Sequence, residues 1–422
     1  MSELRPAAGL PADGRDAGGL LVPDPAVTRP STVSTEPAVL ELTRRLVAAP
    51  SQNPGEDERS VAAVVEAICA ELGLPVPQRV GEPTRPNQLI ELSFGSSGGR
   101  LLLCGHLDTK PVGEGRWSTP PLTASQVGDE LRGRGVVDMK GAIAAMLLSA
   151  ADLAADPPPR GSLLLALVAD EEDGARFGGR WLAENHPLTA DAAVIGEPGG
   201  LFDDWDRLHL GSRGICNFDI EVTTDQGHSS LRDVFGMVSA TEVAARLIVA
   251  IRDEFTPPCP EDQPWRPTLT PGVVIEGGIN YGVLPGFARV RSECRLVSGM
   301  TENEFVAALK AFVAARVPDG AEVAVTVRDW IDATRIESDH AVAVAARDAL
   351  EHVVGVVPAD DVFPATTDAT WLAAMGVPTL PALGPGLLRH AHAVDERVGM
   401  VALRQARDLY THLARRFCEL GS

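Results

Sequence analysis

An α/β fold interrupted by an inserted α+β domain is what this 422-residue sequence predicts, and three observations predict it. Short apolar runs alternate with helical periodicities over the first half, the pattern breaks near His209, and the alternation resumes in the last ninety or so residues. In order, "PAVLELTRRLVAA" and "DERSVAAVVEAICAELG" carry helical spacing. "NQLIELSF" and "RLLLCGH" are too short for helices and rich enough in branched residues for strands. "MKGAIAAMLLSAADLAA" is a helix, and "SLLLALVAD" and "AAVIGEP" are further buried strands. The stretch that follows reads strand "ICNFDIEVTT", helix "MVSATEVAARLIVAIRDEF", strands "TPGVVIEGG" and "FARVRSECRL", helix "ENEFVAALKAFVAARV" and strand "AEVAVTVRD". That order, β-α-β-β-α-β, is the split arrangement of a ferredoxin-like domain. The expected organisation is a tail or strap over residues 1–35 and a mixed sheet with helices on both faces, built from residues 36–207 and 333–422. The ferredoxin-like insertion spans 208–332, and the last helix is expected to begin at Glu396.

A chain of this length exceeds one ordinary hydrophobic core, in keeping with two domains. Its net charge of -21 disfavours nucleic acid and anionic membranes as partners and leaves small molecules and metal ions. Six cysteines lie far apart with no C-x-x-C pair, which fits reduced thiols and a cytoplasmic location. The N-terminus has no basic start followed by an apolar run, so no signal peptide is read, and no apolar run spans a bilayer.

Candidate chemistry sits at the ends of the predicted strands. His106 and Asp108 close an apolar strand, where a carboxylate beside an imidazole can fix the tautomer that frees the other nitrogen for a metal; a solvated His and Asp are the plainer alternative. Asp138, among Gly133, Gly135 and Gly141, stands at a helix start and could simply be its N-cap. Asp170, Glu171 and Glu172 end one strand and Glu197 another, positions where acids also serve for solvation alone. In combination, histidines and carboxylates at several strand ends of an α/β sheet suit two divalent ions, one carboxylate being shared, with zinc preferred and cobalt or manganese allowed.

From about Glu36 onward the sequence resembles the dinuclear zinc amidohydrolases that include acetylornithine deacetylase, succinyl-diaminopimelate desuccinylase, aminoacylase and glutamate carboxypeptidase. The resemblance rests on "GHLDTKPVGEGRWSTPPL", "LRGRGVVDMKGAIAAM", "ADEEDGARFGG", "IGEP" and "GPGLLRHAHAVDE", in that family's order. It implies that His106 and Glu197 serve one ion, Glu172 and His392 the other, and that Asp138 bridges them. Asp108 then orients His106, Glu171 is the general base, and the Asp138–Met139 peptide is cis. Residues 36–207 and 333–422 become the catalytic domain and 208–332 a lid through which a homodimer forms. His228 of "TTDQGHSS" is implied to reach a neighbouring subunit's site, and Arg295 of "SECRL" to hold a substrate carboxylate. Many members carry Asn at the position of Gly282 in "GGINYGVLPG", so either Asn280 does that work from a shifted loop or the transition state is stabilised and the substrate read differently here, and His390 and Gly386 are candidate substrate contacts.

The activity implied is hydrolysis of an amide in a small molecule, an N-acyl amino acid first. Dipeptidase or carboxypeptidase action, hydrolytic deamination of an unusual amine, and a non-catalytic metal-binding scaffold are the alternatives. A barrel amidohydrolase would carry its H-x-H pair on an early strand, whereas "HAH" lies near the end of this chain and no eightfold repeat is present. Of that pair, the family's spacing selects His392 as the ligand, with Asp395 as the expected cap of the last helix.

Overall fold

The computed structural model describes residues 38–420 apart from Asp262, so the predicted tail over 1–35 lies outside the described residues. The larger sheet has six strands in the spatial order Gln78–Glu82, Arg85–Ser93, Ser162–Val168, Arg100–His106, Ala192–Ile195, Thr379–Leu380. Arg85–Ser93 runs antiparallel to both neighbours, and the four strands beyond it are mutually parallel. Leu101–Leu103 and Leu163–Leu167 are buried along their whole length, which is why they read as unbroken apolar runs rather than as alternation.

Helix Lys140–Ala155 is apolar almost all round because it is buried almost all round, between the sheet and the helices Ala38–Ala48 and Met400–Leu420. Its approach to the sheet is set by two glycines. A Cβ on Gly105 would come within 2.9 Å of Met139, and one on Gly196 within 2.6 Å of Met146. Arg407 pairs through two nitrogens with Asp152 and ties the last helix to this one.

The second sheet is wholly antiparallel, in the order Thr268–Gly277, Phe287–Leu296, Gly214–Thr224, Ala321–Ile331. With helices Ala240–Glu254 and Glu302–Ala314 it follows the β-α-β-β-α-β order and has a core of its own around Phe218, Leu247, Val290 and Phe305. The chain enters at Ser212 and leaves at Thr334, where backbone bonds of 3.2 and 3.0 Å and a hydroxyl contact of 2.9 Å join the two crossings. All six cysteines are free.

The structure corrects two expectations at the C-terminus. The last helix begins at Met400 instead of Glu396, because Arg397–Gly399 form a short strand against Glu130–Arg132. Asp395 does not cap it: its backbone is left-handed, at φ 56°, and its carboxylate accepts the Ser118 amide at 2.8 Å.

Candidate functional site

His106 is the last residue of its strand, and Asp170 and Glu197 follow the ends of the two flanking parallel strands by two residues. Adjacent parallel strands thus deliver an imidazole and carboxylates to one edge, where open α/β sheets place their sites. His106 is buried, with Nδ1 3.0 Å from the Asp108 carbonyl and 3.4 Å from its carboxylate. Those acceptors place a ring proton on Nδ1 and turn Nε2 toward Asp138 Oδ1 at 2.9 Å and Glu197 Oε1 at 3.4 Å. On the other side of Asp138, its Oδ2 lies 3.1 Å from His392 Nε2, which is also 3.1 Å from Glu172 Oε2. Asp138 is therefore shared, one oxygen per histidine. It is not the helix N-cap, a position that falls to Met139 without any side-chain bond. The Asp138–Met139 peptide is cis.

Two groups result, His106 with Asp138 and Glu197, and Asp138 with Glu172 and His392, and in each the candidate ligand atoms lie within 4.8 Å of one another. Among the described residues, the cations paired with these carboxylates are the two histidines and Lys110. The electrostatics of the protein alone are strained. Burial, reinforced by Asp138, pushes Glu197 up to about 7, while the hydrogen bonds that His392 donates to Asp138 and Glu172 push it up to about 10. Burial works against a charged His106, yet Asp108, Asp138 and Glu197 hold it well above the ordinary imidazole range. Imidazole and carboxylate donors gathered with excess negative charge and no thiolate fit divalent ions of the zinc, cobalt or manganese type.

Glu171 opens the short turn Glu171–Asp173 and faces a cleft of ≈ 530 Å³ lined also by Glu172, Glu197, Arg295, Trp371 and His392. The Glu171 and Glu172 amides donate to the two oxygens of Asp108 at 3.2 and 3.1 Å. Asp108 thus orients His106 and fixes the acidic turn at once. Burial holds the Glu171 carboxyl well above the ordinary range, and Glu197, Asp368 and Glu172 add to the effect.

Of the remaining expected contacts, Arg295 lines the cleft, its Nε bonded to Glu293 at 2.7 Å. It sits on an interior strand of the second sheet and not on an edge. His228 is exposed and outside the cleft lining, its Nδ1 accepting from the Ser230 hydroxyl at 2.9 Å. Asn280 is likewise outside, in an exposed turn tied to His228 through the pairing of Gly227–His228 with Val283–Leu284. Gly282 has φ 80°, a conformation that glycine adopts freely and asparagine tolerates best among the others. His390 does not line the cleft; burial lowers its pKa, followed by the charges of Arg397 and Arg389. Gly386 is not a lining residue either. Its amide donates to Asp204 at 3.1 Å, and at φ 94° a Cβ would meet Val137 at 2.4 Å.

Sequence reasoning missed the residues that hold the site together. Asn53 Nδ2 donates to Asp108 at 2.9 Å and to Asp170 at 2.8 Å, and Arg85 bonds both Asn53 Oδ1 at 3.2 Å and Glu58 at 2.8 Å. Glu396 is fully buried, accepts the amides of Gly135, Val137 and Asp138, and pairs with Arg134 at 2.7 Å. Arg134 also donates to the His392 carbonyl at 3.2 Å, steadying a residue whose φ of 61° is costly for a non-glycine. Asp368 is buried with Oδ1 unpaired among the described residues, and burial lifts it to about 7. The one available signal was Glu396, which the last motif contains. Asn53→Ala is expected to weaken divalent-ion binding by roughly 10- to 100-fold with the fold intact, as loss of a partner behind a ligand does, and calorimetric titration checks it.

A mixed α/β sheet that gathers two histidines and a shared carboxylate beside an acid-lined cleft defines a metallohydrolase. Residues 102–416 match peptidase family M20/M25/M40. A succinyl-diaminopimelate desuccinylase of Rhizorhabdus wittichii is 29% identical over 391 residues, 89% of this chain and 97% of its own. An acetylornithine deacetylase of Salmonella paratyphi B is 31% identical over 402 residues, covering 90% and 98%. An M20 family metallo-carboxypeptidase from Sulfolobus solfataricus shares the fold, with a TM-score of 0.76 at 18% identity over 91% of this chain and all of its own. The chain belongs to peptidase family M20/M25/M40, and it is a hydrolase acting on amide C–N bonds.

Proposed function

We propose that this protein is a metal-dependent deacylase of N-acyl amino acids. The observation that carries the reading is the Asp138 carboxylate shared between His106 and His392 beside the cleft that Glu171 faces. His106, Asp138 and Glu197 would hold one ion and Asp138, Glu172 and His392 a second, zinc being the best match to the donors. Bound there, the ions supply Lewis acidity toward the amide carbonyl and toward water. The residues do the rest. Asp108 fixes the His106 tautomer, Arg295 takes the substrate carboxylate, and Glu171 accepts a proton from the attacking water and returns it to the leaving amine. Metal analysis followed by a panel of N-acyl amino acids and dipeptides tests this. Chelation should abolish turnover and zinc restore it, and hydrolysis of dipeptides alone would overturn the deacylase assignment.

The second sheet is read as a lid and a homodimer contact. Its edge strand Thr268–Gly277 exposes Val273, Val274 and Ile275, and Val249 and Phe235 add apolar surface on the helices nearby in the chain. An exposed apolar edge strand in a lone chain invites pairing. His228 and Asn280, absent from their own cleft, are assigned to the partner's site, where an imidazole N–H can donate to the developing oxyanion. Ile275→Asp is expected to yield monomers in sedimentation analysis and to lose activity together with His228→Ala; a fully active monomer would remove both assignments. Among the described residues no single helix is long and apolar enough to cross a membrane. With its free thiols, a cytoplasmic location completes the proposal.

A further inference from the structure

Arg295, Ile215 and Ile331 stand side by side on three neighbouring strands. Ile215 is the direct cross-strand partner of Arg295 on one side and of Ile331 on the other, so the three side chains share one face, and all three line the cleft. Phe363, Trp371 and Leu388 line the same cleft. The charged lining is largely committed elsewhere. Its acids are Asp138, Glu171, Glu172 and Glu197, every one of them engaged in the two ligand groups or facing the reaction as the base. Its cations besides His392 are Arg295, which among the described residues bonds Glu293 through Nε alone, and Lys110, which is taken by Glu172, whose carboxylate lies 3.4 Å from Nζ and whose Oε1 accepts the Lys110 amide at 3.1 Å. Of the two lining threonines, Thr366 donates to the Arg213 carbonyl at 3.0 Å and Thr367 accepts the Ala369 amide at 3.2 Å, and neither carries a charge.

From this placement we infer that the cleft selects N-acyl amino acids with an uncharged, apolar side chain, which lies against Ile215 and Ile331 while Arg295 holds the α-carboxylate. The inference rests on the deacylase reading for the orientation of the substrate. Among the described lining residues, a side-chain ammonium, as in ornithine, finds no acid outside the ligand groups and the base. A second carboxylate finds no second guanidinium among those residues. Either charge would be desolvated against isoleucine without a partner, whereas a leucine or phenylalanine side chain gains by leaving water.

The test compares kcat/KM of the zinc-loaded protein for N-acetyl-leucine and N-acetyl-phenylalanine with that for N-acetylornithine, N-acetyl-glutamate and N-succinyl-diaminopimelate. In parallel, calorimetry measures binding of the same compounds to the zinc-loaded Glu171→Ala protein, which separates recognition from turnover. The expected result is a preference of roughly 10- to 100-fold for the apolar compounds in both measurements, the scale that one side chain commands in an apolar pocket. Ile331→Asp should cut that preference and favour N-acetylornithine, and Ile331→Val should retain it; if the aspartate variant fails to fold, Ile215→Thr replaces it. Equal or tighter binding of N-acetylornithine, or an unchanged preference in the folded wall variants, overturns the inference. Selective binding of the apolar compounds without turnover by the parent protein would sustain it and overturn the deacylase reading instead.

Discussion

Glu171→Ala is expected to lower kcat by roughly 10²–10⁴-fold, the span a positioned proton-transfer group contributes, while metal content and secondary structure match the parent. The reason is placement. The backbone of Glu171 is fixed by its amide bond to Asp108, its side chain faces the cleft, and its carboxylate has no hydrogen-bond partner among the described residues. An acid so placed can move a proton between water and a leaving amine without first breaking a bond to the protein. Its proton affinity is raised by burial and the neighbouring acids, and dications held at the two ligand groups would pull it back toward the working range. Glu171→Asp keeps the carboxylate one methylene short and should recover only part of the loss. Steady-state kinetics and metal analysis on the same sample decide the matter, and turnover near the parent value with both ions bound would falsify the assignment.

Asp138→Ala is expected to release metal from both groups, a larger loss than any other single ligand can cause. His106→Ala should empty only the buried group and His392→Ala only the exposed one, because each histidine faces a different oxygen of Asp138. The penalty for Asp138 should exceed the roughly 10- to 100-fold that removal of a supporting partner costs. His390→Ala should keep both ions. Titration of the stripped proteins with zinc, read as stoichiometry, separates these outcomes: two ions retained by Asp138→Ala, or one lost from His390→Ala, would break the proposed ligand sets.

Much of the fold was legible in the sequence, for a local reason. Apolar runs such as "LLLC" and "LLLAL" have the length of a strand buried on both faces, and the helix Lys140–Ala155 shows the composition of one buried all round. Both signals lie within a few residues of each other and need no partner to be recognised. The strand that displaces the start of the last helix was not legible, since Arg397–Gly399 is extended by its pairing with Glu130–Arg132, more than 260 residues away. The same holds for Asp395, whose carboxylate is drawn to Ser118 and away from the helix.

The sequence by itself determined the α/β class, the β-α-β-β-α-β insertion and the strand ends at which histidines and acids gather, because each follows from short-range pattern or from a motif contained in one stretch. Tertiary structure alone decided how those side chains meet. Asp138 divides its oxygens between two histidines, one of them 254 positions further along the chain. Asn53, Arg85, Glu396 and Asp368 surround the site without any periodic or motif signal marking three of the four. A polar network buried in a low-dielectric interior is specified by which donors and acceptors satisfy one another across space, and that pairing leaves no spacing rule in the chain.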